Sequence, residues 1–213
     1  MLAGMFVLSS VIAYFFGCIN GAILVSKYFY KDDVRAHGSG NAGLTNFYRV
    51  YGTKGIAGVL ACDILKAMIA TFIGGVLLTL AGGDEFRVVG QFVAAAFVML
   101  GHTYPVTFHF HGGKGILSGV SAVMVINWKI ALLLLAIFFV VVLVTKYVSL
   151  GSIIAASMLV PCVWIWSHSA SYTLLSVVTA GLLVFAHRAN IARLVRGKES
   201  KFTLHRNKTE GGQ

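Results

Sequence analysis

Residues 4–25 contain no Asp, Glu, Lys, Arg or His, and only Ser9, Ser10 and Asn20 interrupt their apolar and small side chains. A run of roughly 20 such residues matches the hydrocarbon thickness of a bilayer. Six further apolar runs follow, at residues 56–81, 88–100, 116–126, 130–145, 148–166 and 172–186. Together they predict an all-α integral membrane protein of about seven transmembrane helices, some of them short. The runs at 88–100 and 116–126 hold only about 11 to 13 strongly apolar residues, a length equally compatible with a re-entrant or half-buried segment. Composition excludes a water-soluble globule: 58% of residues are hydrophobic and 11% charged, where a soluble domain carries about 25% charged residues. The first basic residue is Lys27, so residues 4–25 lack the positive flank of a cleavable signal and are read as a mature helix. Cys18, Cys62 and Cys162 lie in separate apolar runs, which points to buried small hydrophobes rather than a disulfide framework or a zinc site.

The net charge of +10 is a membrane signal, not a nucleic-acid one, once its placement is considered. With seven crossings, residues 26–55, 101–115, 146–148 and the chain after Ala186 share one face and hold 14 of the 17 Lys and Arg residues. Arg87 and Lys129 fall on the other face, and Lys66 within a helix. The positive-inside rule then predicts an outside N-terminus and a cytoplasmic C-terminus, with Trp128, Trp164 and Trp166 as interfacial anchors. Residues 1–202 read as a single membrane-embedded domain and 203–213 as a polar tail.

Three polar clusters lie on the basic face. In the first, Gly38, Ser39, Gly40, Asn41, Ala42, Gly43, Leu44, Thr45 and Asn46 are followed by Arg49. The spacing Gly38, Gly40, Gly43 satisfies the dinucleotide pattern, but no strand or βαβ unit surrounds it. Glycines that let amide N–H groups converge, together with hydroxyl and amide donors and an arginine, suit an anion instead. In the second, Gly101, His102, Thr103, Tyr104 and Pro105 lead to Phe110, His111, Gly112, Gly113, Lys114 and Gly115. This is not a nucleotide-binding loop, because Gly115 replaces the hydroxyl residue that should follow the lysine. Lys114 can still bring an ammonium to phosphate. His102, His109 and His111 lack a nearby carboxylate or cysteine, so no metal is expected. The third cluster, His187, Asn190 and Leu194 with Gly197 and Glu199, follows the last apolar run. A helix there turns His187 and Asn190 the same way, while Arg193, Arg196 and Lys198 read as contacts to anionic headgroups. Asp63 and Lys66 are spaced to pair on one helix face, either in function or as a structural ion pair.

These clusters resemble those of the bacterial membrane glycerol-3-phosphate acyltransferases that use acyl phosphate, the PlsY family. The resemblance spans the chain; Leu44 stands where the family usually has Ala, and Ile116, Leu117 and Ser118 where Val-Ala-Thr is common. It implies transfer of a fatty acyl group from acyl phosphate to the sn-1 hydroxyl of glycerol 3-phosphate, giving lysophosphatidic acid and phosphate, with no cofactor. By that resemblance Arg49, Lys114 and His187 hold the acceptor phosphate, with Asn190 and Ser152 as neutral donors. Ser39, Asn41 and Thr45, with loop amides, hold the donor phosphate or the developing oxyanion, flanked by Gly38, Gly40, Gly43 and Asn46. His102, Gly112 and Gly113 line or shape the site, and Asp63, Lys66 and Glu199 support it. Direct attack is favoured over an acyl-Ser39 intermediate, and the proton acceptor is left open among His102, His187 and the donor phosphate. The implied setting is the bacterial inner membrane with the site facing the cytoplasm. The implied partners are the two substrates, the bilayer and an upstream soluble enzyme that makes acyl phosphate; a monomer is expected. A phosphate-compound transporter would need polar residues near the midplane of several helices, and a noncatalytic scaffold would not need two anion-suited loops.

Overall fold

The computed structural model describes residues 1–202; the tail expected at 203–213 lies outside the described residues. The described chain is helical throughout its regular structure: α1 (Leu2–Cys18), α2 (Gly21–Phe29), α3 (Leu44–Tyr51), α4 (Ile56–Gly82), α5 (Arg87–Thr103), α6 (Ile116–Ile126), α7 (Trp128–Thr145), α8 (Val148–Ser167), α9 (Ala170–Ala186) and α10 (Arg188–Val195), with short 3-10 turns between some of them. Five segments are long and apolar enough to cross a membrane, and α9 with α10 would make a sixth although the two are bent by 60°. The α6 run expected as a crossing has 11 residues, about 16 Å of helix against a hydrocarbon core of about 30 Å.

The apolar run at 4–25 is not one helix. Ile19 and Asn20 adopt extended backbone between α1 and α2. Asn20 starts α2 as its N-cap, the side-chain oxygen accepting from Ile23 N–H at 3.0 Å. Hydropathy cannot register such a break, because what satisfies the freed backbone groups comes from α4. Lys66 donates to the Ile19 carbonyl at 2.5 Å and to Gly17 at 3.4 Å, while Asp63 accepts from Gly21 N–H at 3.2 Å. A cation thus faces the C-terminus of α1 and an anion the N-terminus of α2, each opposite the favourable end of a helix dipole.

In one half of the bundle α1, α4 and α5 pack through small side chains, with Ala13, Ala67, Ala70, Ala94, Val98 and Met99 in a common cluster. Small residues let helix backbones approach where lipid removes the usual hydrophobic drive for helix association. The closest approach is at Gly17 and Gly101, where a Cβ on Gly101 would overlap the Tyr14 carbonyl oxygen and one on Gly17 the Val98 carbonyl oxygen. The other half, α6 to α9, packs around Val123, Ile130, Leu134, Leu159 and Val163. At one end of the bundle α2 and α3 close over Phe47, whose ring lies against Tyr30 and Tyr51. Trp128, Trp164 and Trp166 are exposed at the opposite end.

The described parts of the four basic segments, up to Phe202, come together at the Phe47 end. Arg35 donates to the carbonyls of Phe108 and His111, Ala42 N–H to the Gly112 carbonyl, and Phe202 N–H to the Lys146 carbonyl. The common face that charge counting assigns to these segments is therefore a physical cluster.

Candidate active site

The first loop is shaped by its own helix. Asn46, in the first turn of α3, accepts from Ser39 N–H at 2.8 Å and donates to the carbonyls of Val34 and His37. Gly38 and Gly40 have φ of +60° and +70°, and a Cβ on Gly38 would collide with the Asn46 carboxamide. Asn46 borders the cavity, yet its amide is committed to holding the loop. Ser39, Asn41, Gly43 and Thr45 line the cavity, as does Arg49 one turn further along α3. Among the described residues neither the Ser39 hydroxyl nor the Arg49 guanidinium has a hydrogen-bond partner, so no base is hydrogen-bonded to Ser39. Sequence reasoning missed Arg35, which Asp33 holds at 2.7 Å and which ties this loop to the second.

The second loop turns over His102. A Cβ on Gly113 would overlap His102 Nε2 and lie 2.6 Å from the Ala42 carbonyl oxygen, and one on Gly112 would overlap the His102 carbonyl oxygen. Gly38, Gly40, Gly112 and Gly113 thus shape the site from outside the cavity lining. His102 lies deeper with Lys66 and Asp63. Its Nδ1 is 2.8 Å from the Lys66 ammonium, which in turn is 2.7 Å from Asp63. An ammonium only donates, so Nδ1 accepts and the ring's proton is on Nε2. Asp63 and His102 border the cavity, whereas Lys66 is directed at the α1–α2 break.

The third cluster is organised by Glu199. Its carboxylate accepts from Ser149 Oγ at 2.7 Å, Asn190 Nδ2 at 2.6 Å and Arg193 Nε at 2.7 Å. Burial pushes the Glu199 carboxyl upward, but these hydrogen bonds outweigh it and hold the group below its usual range. Asn190, oriented by Glu199, accepts from Lys114 Nζ at 2.5 Å. Burial lowers the Lys114 pKa to about 8, Arg193 and Arg49 push the same way, and Glu199 opposes them. Arg193, read from sequence as a headgroup contact, instead pairs with Glu199 and borders the cavity, because the bend after α9 turns α10 back over the site. His187, at that bend, has Nδ1 2.8 Å from the Leu183 carbonyl. A carbonyl requires Nδ1 to donate, so the neutral ring presents Nε2 as an acceptor. Ser152 borders the cavity while its hydroxyl donates to the Val148 carbonyl.

These groups face a single cavity of about 480 Å³. Its mouth carries Ser39, Asn41, Thr45, Arg49, Lys114, His187 and Asn190, and its walls continue into the bundle between α6, α7, α8 and α9 through Val120, Val123, Leu134, Phe138, Ala156 and Leu159. Phe202 lies across the rim, near the Tyr48 ring. Polar groups at one end and an apolar interior suit an amphipathic molecule with an anionic head.

Residues 7–197 match the family described as glycerol-3-phosphate acyltransferase. The chain is 44% identical over 195 residues to the glycerol-3-phosphate acyltransferase of Thermoanaerobacter pseudethanolicus, covering 92% of this chain and 94% of that one. It is 38% identical to the enzyme of Staphylococcus carnosus, covering 92% and 98%. Two crystal structures of PlsY, an integral membrane glycerol 3-phosphate acyltransferase, superpose with TM-scores of 0.82 for the glycerol 3-phosphate form and 0.80 for the lysophosphatidic acid form. The identities are 31% and 30%, each over 93% of this chain and 96% of the other. With the family matched across the chain and the fold shared, this protein belongs to the membrane-integral glycerol-3-phosphate acyltransferases of the PlsY family.

Proposed function

We propose that the enzyme transfers a fatty acyl group from acyl phosphate to the sn-1 hydroxyl of glycerol 3-phosphate at the cytoplasmic face of the inner membrane. One observation carries this reading: an anion-suited mouth opens into an apolar interior within one cavity. Arg49 and Lys114 hold the acceptor phosphate, with Asn190 keeping Lys114 in place. Ser39, Asn41, Thr45 and the amides of the first loop hold the donor phosphate and the oxyanion that forms at the carbonyl. The acyl chain lies between α6 and α9.

The reaction is a direct displacement. The sn-1 oxygen attacks the acyl carbon, the bond from that carbon to the phosphate oxygen breaks, and inorganic phosphate leaves. The mixed anhydride already has a good leaving group, so an acyl-serine stage gains nothing, and among the described residues no base is hydrogen-bonded to the Ser39 hydroxyl to make it a nucleophile. The attacking hydroxyl loses its proton to His187 Nε2, the acceptor side of a ring whose other nitrogen is held by Leu183. His102 is excluded from this role because Lys66 occupies its accepting nitrogen. The neutral His187 is therefore assigned to the hydroxyl rather than to the phosphate. The acyl phosphate comes from a soluble enzyme, and a monomer suffices because the cavity is built from one chain.

The test is purified enzyme in lipid nanodiscs with glycerol 3-phosphate and either palmitoyl phosphate or palmitoyl coenzyme A. Lysophosphatidic acid and phosphate should form in equal amounts from the acyl phosphate and persist after treatment with a chelator. Equal rates with the coenzyme A ester, or activity restored only by an added divalent ion, would overturn the reading.

A further inference from the structure

The peptide at Ala42 is where the two substrate loops and the first span meet. Its N–H donates to the Gly112 carbonyl at 3.4 Å, and its carbonyl accepts from Asn20 Nδ2 at 3.1 Å, beside Gly113. Asn20 and Ala42 are both fully buried. Asn20 contributes nothing to the cavity lining, whereas Asn41 and Gly43, on either side of Ala42, do. Asn20 is itself held from both sides. The carbonyl before it accepts from Lys66, and the N–H after it donates to Asp63. Its carboxamide divides between two tasks: Oδ1 caps α2 through Ile23, and Nδ2 reaches the loop.

We propose that Asn20 is a positioning residue for acyl transfer: its Nδ2–H bond to the Ala42 carbonyl sets the Asn41–Thr45 segment of the site against the Lys114 loop. This rests on the reading of the cavity given above. A buried carbonyl without its donor shifts or admits water to find another, and misplacement of about 1 Å at a reacting centre can cost as much as a hundredfold in rate. The break in the first span thereby has a functional consequence, since a continuous helix would direct no side-chain amide at this loop.

The two tasks separate by substitution. Asn20→Asp and Asn20→Ser each keep an oxygen to cap α2 but lose the N–H that reaches Ala42, and the serine variant adds no charge beside Asp63. The serine variant should lose about 2 to 12 °C in Tm, the cost of one orphaned buried carbonyl, and the aspartate variant more, because it buries a second carboxylate near Asp63. In the protein that remains folded kcat should fall about tenfold. KM for glycerol 3-phosphate should stay within about twofold, because Glu199 and Asn190 hold Lys114 independently. Amide hydrogen exchange in residues 38–46 should accelerate in both variants, a readout independent of turnover. The proposal fails if the folded serine variant keeps wild-type kcat, or if activity falls only in step with the folded fraction while exchange in 38–46 is unchanged. Wild-type protein that makes no lysophosphatidic acid, with exchange still faster in the variants, would instead overturn the assignment of the cavity, and the catalytic role of Asn20 with it.

Discussion

Replacing Lys66 with Met should destabilise the fold more than any surface charge change. The Lys66–Asp63 pair is 2.7 Å long with both side chains about 2% exposed, and the same ammonium serves the Ile19 carbonyl and His102 Nδ1. Without it, Asp63 is left with the Gly21 N–H at 3.2 Å and the His102 Nδ1 at 3.7 Å, neither a close cation, against its buried charge. Breaking a buried pair from one side costs about 3 to 5 kcal/mol, which at about 2 to 4 °C per kcal/mol for a chain of this length is a fall of roughly 6 to 20 °C in Tm. Combining Lys66→Met with Asp63→Asn removes the stranded charge, so the pair of changes should cost less than Lys66→Met alone, about 1 to 3 kcal/mol for the orphaned carbonyls of α1. Thermal unfolding of wild type, both single variants and the double variant in one detergent closes a double-mutant cycle. A fall of less than about 3 °C for Lys66→Met, or a double variant that loses the sum of the singles, would refute the account of Lys66 as the clamp on the break in the first span.

Lys114 is a cation below its pKa of about 8 and loses its charge above it. KM for glycerol 3-phosphate should therefore rise as pH climbs through 8, and Lys114→Arg should remove that rise because guanidinium stays charged; a flat KM from about pH 7 to 9.5 in wild type would disagree. Lys114→Ala should raise that KM about tenfold to 150-fold, the equivalent of a charge-assisted hydrogen bond of about 1.5 to 3 kcal/mol. Ser39→Ala should lower kcat, and intact-mass spectra of wild type incubated with acyl phosphate alone should show no acyl adduct; an ester on Ser39 with ping-pong kinetics would make it the nucleophile. With Cys18, Cys62 and Cys162 replaced, a cysteine introduced at Ala36 should react with an impermeant thiol reagent only from the cytoplasmic side, and labelling in intact cells would reverse the topology.

Much of this protein is legible along the chain because a bilayer imposes local rules. Apolar length reports helices, the bias of Lys and Arg reports their common end, and glycines with short polar side chains report loops that can close on anions. On those grounds Ser39, Arg49, Lys114, His187 and Asn190 stand out from the sequence, and all of them line one cavity. Asn20 and Arg35 do not stand out, because each acts through a carbonyl of a distant residue whose position no local pattern reveals. The same holds for Arg193: a basic residue after the last span reads as a headgroup contact until the bend at His187 brings it to Glu199.

The amino-acid order alone determined that the chain is a helical membrane protein and that three polar clusters share an end. Tertiary structure decided that the first apolar run breaks at Asn20, since only the approach of Asp63 and Lys66 satisfies the groups the break exposes. It also decided the division of labour within the clusters. Asn46 and the glycines shape backbone, Glu199 orients Asn190 and Lys114, and the histidine tautomers follow from their neighbours. Hydropathy and charge are properties of each residue in turn. Hydrogen-bond partnership belongs to pairs far apart in sequence, and it exists only once the helices have packed.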